Sequence, residues 1–167
     1  SINSGTEGGG GLTKIGNNCL FMLGSHVAHD CIIGNNVVIA NNGSIGGHVV
    51  INDNVIVGGL SGIHQFCRIG EGAMIGAVTM VSKDVIPFGM VVGDRCSLNG
   101  INLIGLKRRG FSNKEILALQ KDFNFLFHGD GNLKDKAKKI YNSNGKDLIN
   151  VIAAFILADT SRKITTP

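Results

Sequence analysis

The sequence predicts a parallel β-solenoid followed by a helical C-terminal region. Three observations carry that prediction. First, residues 15–86 read as twelve consecutive six-residue units, and the first position of eleven of them is Ile or Val, Phe21 being the exception. Second, the other slots are also restricted. The second position is Gly in six units and Ala or Ser in three more, and the fifth is always Cys, Ser, Val, Gly, Ala or Thr. Third, the period ends at Pro87, and beyond Ser112 the apolar residues take helical spacing. A short fixed period with a β-branched residue in one slot is the signature of a solenoid. A small second residue suits a corner, or a backbone that passes close to its neighbour. Ordinary strands would alternate at period two with irregular turns, and would not hold one phase over twelve units.

In chain order, Ser1 to Lys14 contains four consecutive glycines, Gly8 to Gly11. A phosphate-cradling loop would need a following Lys-Ser/Thr and a helix, and neither is present. The expected structure is a loop near 5–12 that leaves a solenoid corner and returns. The hexads follow. The last coil would expose an open ladder unless something covers it, and residues 88–103 read as a last irregular strand and turn. Ser112 and Glu115 form a capping box. It opens a helix with Ile116, Leu119, Phe123 and Leu126 on one face, stopped by Gly129 and Gly131. A second helix is expected over roughly Leu133 to Tyr141. A third is expected over roughly Asp147 to Asp159, with Leu148, Val151, Ile152, Phe155 and Ile156 on its apolar side. The domain division is a solenoid over 1–104 and a helical domain over 105–167.

Composition narrows the function classes. Gly supplies 25 of 167 residues and 43% of residues are apolar, which fits a solenoid and excludes a disordered chain. Residues 1–106 carry four Lys/Arg against six Asp/Glu, whereas residues 107–167 carry twelve against six. A basic end implies an acidic partner. No nucleic-acid-binding motif or aromatic stacking platform is present, so nucleic acid is not expected. Lys134, Lys136, Lys138 and Lys139 read either as a solvated helix face or as a docking surface. Cys19, Cys31 and Cys67 share the fifth hexad slot with Val, Ala and Ser, so the cysteines read as small core residues, and free thiols fit a reducing compartment. The longest apolar run, 148–158, is too short to span a bilayer. A soluble, cytoplasmic chain without membrane insertion is expected.

The hexads resemble the left-handed β-helix of the hexapeptide-repeat transferases, in which three hexads make one triangular coil of eighteen residues. The segments VAHDC (27–31), IGGHV (45–49), IHQFC (63–67) and GLKRRGF (105–111) narrow the resemblance to the UDP-N-acetylglucosamine O-acyltransferase family of lipid A biosynthesis. Members of that family carry several more coils before the point matching Ser1, so the chain reads as lacking N-terminal coils.

With the eighteen-residue coil, His29, Gly47, Gln65 and Lys83 fall in one column, and His48 and His64 flank it by one residue. Coils are about 4.8 Å apart, so these groups converge on one strip. Moving an acyl group from a thioester to a hydroxyl needs a base and an oxyanion donor. Imidazole serves the first task near neutral pH, and a glycine N–H, with no side chain in the way, serves the second. Asp30 is placed to orient the His29 imidazole. Adjacent strand residues point oppositely, so that pairing requires a bend or a neighbouring subunit.

The resemblance implies the same roles. His29 matches the general base and Gly47 the oxyanion hole. His26, His48, His64 and Gln65 match residues lining the sugar and nucleotide pocket. Asn102, Arg108 and Arg109 match positions near the nucleotide and phosphates. Ala77 matches the residue that sets acyl-chain length. The resemblance further implies an acyl carrier protein as donor, docking on the basic C-terminal region. It also implies a UDP-amino-sugar acceptor, a homotrimer with sites between subunits, and no cofactor or metal. Two departures bear on the nucleotide pocket: Asn3 stands where the family usually has His, and Ile104 where it often has Glu. Other readings are a hexapeptide acyltransferase with a 3-amino-sugar acceptor, an N-acyltransferase, or a coenzyme A-dependent acetyltransferase. A β-helix hydratase holding a metal through His29, His48 and His64, and a catalytically silent scaffold, complete the set.

Overall fold

In the computed structural model, which describes residues 1–142, 145, 147–158 and 160–167, each hexad contributes one two-residue strand. One face of the prism is formed by β1 (Lys14–Ile15), β4 (Ile32–Ile33), β7 (Val50–Ile51) and β10 (Arg68–Ile69). A second holds β2 (Leu20–Phe21), β5 (Val38–Ile39), β8 (Ile56–Val57) and β11 (Met74–Ile75), extended by β13 (Gly89–Val92) and β14 (Ser97–Ile101). The third holds β3 (His26–Val27), β6 (Ser44–Ile45), β9 (Gly62–Ile63) and β12 (Met80–Val81). Pairing among β1–β12 is parallel and in register at eighteen residues: Lys14 faces Ile32, Ile32 faces Val50, and Val50 faces Arg68. The three-hexad coil is therefore present as expected.

Burial explains the slots. First positions such as Ile33, Ile39, Ile45, Ile51, Ile69 and Ile75 are fully buried, and so are fifth positions such as Cys31, Val37, Val49, Val55 and Cys67. Two apolar rows per hexad thus fill the prism. The corner itself is made at the fourth position, not the second. From Asn18 to Val78 the fourth residue of every hexad has a positive φ, with Gly at 24 and 72. The second position is small for the other reason, close approach: a Cβ at residue 58 would stand 2.5 Å from the Ala77 nitrogen of the next coil.

The N-terminal loop is an insertion in this register. Ile2 bridges to Val27, twenty-five residues on rather than eighteen, so seven residues are looped out. They contain a single 3-10 turn, Glu7–Gly9.

At the other end, β13 and β14 form an antiparallel hairpin stacked on β11. Among the described residues four helices follow: α1 (Leu103–Arg108), α2 (Asn113–His128), α3 (Leu133–Ile140) and α4 (Leu148–Leu157). The short α1 was not expected, and it starts two residues before the anticipated boundary. Asn102 caps it through a hydrogen bond accepted from the Gly105 N–H. The Ser112–Glu115 capping box is formed, and α2 buries the four expected residues. The buried face of α4 is Ile149, Ile152, Ala153 and Ile156, with Leu148, Val151 and Phe155 only half-buried, so the expected stripe is offset. The anticipated end of that helix, Asp159, lies outside the described residues.

The last residues return to the solenoid. The Asp84 N–H donates to the Lys163 carbonyl, and the Thr165 N–H donates to the Asp84 carbonyl. This strap, with the hairpin, covers part of the ladder the last coil would expose. Its anchor is Asp84, which has no exposed surface. The Asp84 carboxylate accepts from the Arg68 backbone N–H (2.8 Å), from Arg68 Nε (2.8 Å) and from Thr160 Oγ1 (2.9 Å). Arg68 also lies over the Phe155 ring. Both partners of this ion pair also reach the C-terminal region, Asp84 through Thr160 and Arg68 through Phe155. Among the α3 lysines, Lys136 is buried and its ammonium caps the end of α2 at the Gly129 carbonyl. The exposed basic face is thus Lys134, Lys138 and Lys139, not all four.

Candidate active site

The corner between β3 and β4 places Asp30 in the left-handed region, φ 58°. That bend turns its side chain back beside the preceding residue, and His29 Nδ1 stands 2.8 Å from Asp30 Oδ2. The pairing therefore needs no second subunit. The Gly-rich loop completes it. The Thr6 hydroxyl donates to Asp30 Oδ2 at 2.7 Å, the Thr6 N–H donates to the same carboxylate, and Thr13 Oγ1 accepts from the Asp30 N–H. Gly9 is required there, because a Cβ would run into the Asp30 carboxylate. Thr6, above all through its hydroxyl, holds the Asp30 carboxyl far below the usual carboxylate range; His29 and the His48 charge add to it. The ionised Asp30 fixes the proton of His29 on Nδ1 and leaves Nε2 as the free lone pair.

One coil on, Gly47 lies against the His29 ring. A Cβ at 47 would stand 2.8 Å from Cε1 and 2.9 Å from Nε2. The Gly47 N–H donates to no acceptor among the described residues, whereas the N–H of His48 is spent on the His29 carbonyl. The His48 ring meets His29 edge-on at 5.1 Å and stacks flat on Phe66 at 4.6 Å. His26, on β3, pairs with Ser1 Oγ at 2.8 Å. His64 and Gln65 stand on the following coil, and both accept from Arg162 on the C-terminal strap.

Four participants were not anticipated. Phe66 was legible, since it falls eighteen residues after His48. Thr6 and Arg162 carried no periodic signal, because the first belongs to the insertion and the second to the strap; Thr13 lies just before β1, in the eighteen-residue register with Cys31.

The remaining candidates lie at other edges of the prism. Asn102, Arg108 and Arg109 line a groove of about 400 Å³ with Val38, Ile56, Met74, Met90 and Ile104, beside the corner that carries Asn36, Asn54 and Gly72. Asn102 is occupied structurally: its carboxamide donates to the Gly72 carbonyl and caps α1. Arg109 pairs with Glu71 and lies over the Phe88 and Phe111 rings. Arg108 is exposed and makes no ion pair among the described residues. Ala77 is exposed at the third edge, the corner before β12. One chain thus brings His29, Asp30, Gly47 and His48 together and holds the arginines and Ala77 apart from them.

The metal reading has a partial geometric basis. His29, Asp30 and His48 have potential ligand atoms within 4.8 Å of one another. Those atoms are not free, however. The Asp30 oxygens are taken by Thr6 and by His29, and ligation through His29 Nδ1 would break its bond to Asp30. His64 faces Arg162, a cation. The donor set fits an oriented imidazole better than a metal triad.

Residues 84–165 match the family described as UDP-N-acetylglucosamine O-acyltransferase, domain 2, and residues 12–47 match the bacterial transferase hexapeptide repeats. A relative from Paracoccus denitrificans named acyl-[acyl-carrier-protein]–UDP-N-acetylglucosamine O-acyltransferase is 54% identical over all of this chain, which covers 63% of it. One of the same name from Campylobacter lari is 52% identical over 98% of this chain, which covers 61% of it. The solved UDP-N-acetylglucosamine acyltransferase from Campylobacter jejuni superposes with a TM-score of 0.90 at 40% identity, covering 98% of this chain and 64% of that one. The chain thus spans about three fifths of the length of these relatives. In fold, repeat and sequence along its whole length, the chain is similar to the UDP-N-acetylglucosamine O-acyltransferases.

Proposed function

We propose that this chain carries the catalytic base of an acyltransferase. The enzyme moves a 3-hydroxyacyl chain from acyl carrier protein to the 3-hydroxyl of UDP-N-acetylglucosamine, the first step of lipid A biosynthesis. The observation that carries the reading is the His29–Asp30 pair, with its free nitrogen against Gly47. His29 Nε2 takes the hydroxyl proton as that oxygen bonds to the thioester carbon. The Gly47 N–H donates to the oxyanion that forms. The carbon–sulfur bond then breaks, and the imidazolium returns its proton to the departing thiolate. Asp30 stabilises the imidazolium without itself being protonated.

His26, His48, His64 and Gln65 would line the sugar and nucleotide pocket, and Arg108 and Arg109 would meet the phosphates. These groups stand at different edges of one prism. A homotrimer that packs the His29 edge of one subunit against the arginine groove of the next would join them, which supports the trimeric reading. Lys134, Lys138 and Lys139 give the acidic carrier a basic face. The donor and the free cysteines fit the cytoplasm, and no helix among the described residues is long and apolar enough to cross a membrane.

The test is acyl transfer from 3-hydroxyacyl carrier protein to UDP-N-acetylglucosamine, with the protein at its natural length, comparing wild type with His29→Ala. Turnover that collapses in the variant is expected. Equal turnover in both would remove His29 from the centre. A folded wild type that acylates only a 3-amino acceptor would change the substrate.

A further inference from the structure

We propose that Arg162 is a positioning residue. It holds His64 in the tautomer with its proton on Nε2, so that this nitrogen presents an N–H donor to the acyl-acceptor substrate. The proposal rests on the acyl-transfer reading above for what the donor meets, and on geometry for the tautomer itself.

Arg162 Nη2 stands 2.8 Å from His64 Nδ1 and 2.9 Å from the Gln65 carbonyl oxygen. A guanidinium donates and never accepts. Nη2 has two hydrogens, one for each neighbour. Nδ1 must then offer its lone pair, and the single proton of the neutral ring sits on Nε2. His64 Nδ1 is also 3.2 Å from the Gln65 carbonyl oxygen. With Arg162 between them, that distance is the third side of a triangle in which two acceptors share one donor. The opposite assignment, Nδ1–H donating to Gln65, would aim a hydrogen at a cation 2.8 Å away.

The strap that carries Arg162 is anchored through its backbone. Its own N–H donates to Thr160 Oγ1 at 3.2 Å, and that hydroxyl donates to Asp84. On its other side, Lys163 and Thr165 pair with the Asp84 backbone. The backbone on both sides of Arg162 is thus held by one fully buried residue, and the guanidinium reaches His64 and Gln65 from that anchored position. His64, in contrast, is exposed and lies two coils along the prism from Ala28. Without a partner, its ring would be free to exchange tautomers. The C-terminal strap, ninety-eight residues away in sequence, therefore sets which atom His64 offers.

The measurement is histidine ¹⁵N NMR on the protein at its natural length, with steady-state kinetics beside it. In wild type, His64 Nδ1 should fall in the unprotonated range and Nε2 in the protonated range. Arg162→Met removes both donors and should mix the tautomers. It should raise KM for the sugar nucleotide about tenfold and change kcat by less than about threefold, the loss expected for one hydrogen bond made in ground and transition states alike. Arg162→Lys keeps a donor and should recover much of the tautomer bias and of KM. A wild-type His64 with its proton on Nδ1 would overturn the proposal, as would an Arg162→Met protein with unchanged tautomer. If Arg162→Met fails to fold, the wild-type tautomer and the lysine variant still decide. Absence of turnover in wild type would defeat the acyl-transfer reading and leave the tautomer result standing on its own.

Discussion

Nδ1 of His29 and Oδ2 of Asp30 stand 2.8 Å apart, although the two residues are neighbours in the chain and a regular strand would point them oppositely. The positive φ of Asp30 makes the contact, and Thr6 fixes the carboxylate in it. Asp30→Asn keeps the shape but offers the wrong partner to the imidazole. It should lower kcat/KM by at least about 100-fold at neutral pH, with Tm nearly unchanged. Single-turnover acylation at saturating donor checks it.

The depressed Asp30 carboxyl also makes a prediction about acid stability. Because its folded pKa lies below the unfolded value, its contribution is fully present above about pH 4 and is lost as pH falls through the folded value. Thr6→Val removes the largest cause. The gap in Tm between wild type and Thr6→Val should therefore be widest near neutral pH and should narrow progressively below about pH 4. A gap that grows on acidification would contradict the assignment.

Gly47→Ala puts a methyl group where the His29 ring lies, 2.8 Å from Cε1. The ring must move, and the approach to the Gly47 N–H is blocked. A loss of about 10² to 10³ in kcat is expected with the solenoid intact, the range seen when one oxyanion donor is removed. Circular dichroism and kcat measured on one preparation separate this from misfolding.

Much of this molecule was legible because its architecture is periodic. Ile or Val at the first slot and small residues at the fifth identify the two buried rows, and the eighteen-residue count puts His29, Gly47 and Gln65 at one edge. The corner slot was harder to see. Asn or Asp fills many fourth positions, but Leu60, Phe66 and Val78 take the same left-handed conformation without the usual composition. The residues that finish the site were not legible. Thr6 reaches Asp30 from a loop that breaks the count, and Arg162 reaches His64 from a strap whose path depends on Asp84. The offset face of α4 had a similar cause: the strongly apolar run 148–157 reads as buried on either of two overlapping stripes, and packing chose one.

Asp84→Ala would leave Arg68 half-buried beside no carboxylate and release Thr160 from the strap. Removing one partner of a buried pair costs about 3–5 kcal/mol. The expected result is a fall of that size in unfolding free energy. The strap should loosen first, read as protease cleavage near residues 160–167 before the solenoid melts.

Burial pushes the Cys67 thiol up to about 11, and Cys31 and Cys96 are raised for the same reason. At pH 8 only about one Cys67 in a thousand would be thiolate. These three cysteines should resist iodoacetamide in the folded protein and react together on unfolding. Rapid labelling of Cys67 under native conditions would show that the fifth-slot row is not a closed core.

Ala77 lies exposed at the corner before β12, in the column of Leu23, Asn41 and Gly59. If this position limits the acyl chain, its single methyl group is the stop. Ala77→Gly removes one carbon's width and should shift preference toward longer acyl chains, with the 3-hydroxyl acceptor unchanged. One methylene buried in an apolar slot is worth about 0.8 kcal/mol, so the ratio of kcat/KM between chains two carbons apart should move by roughly tenfold. Competition between carrier-bound chains of different length reads that ratio directly. The same ratio in Ala77→Gly and wild type would remove this residue from chain selection and leave the base and oxyanion assignments untouched.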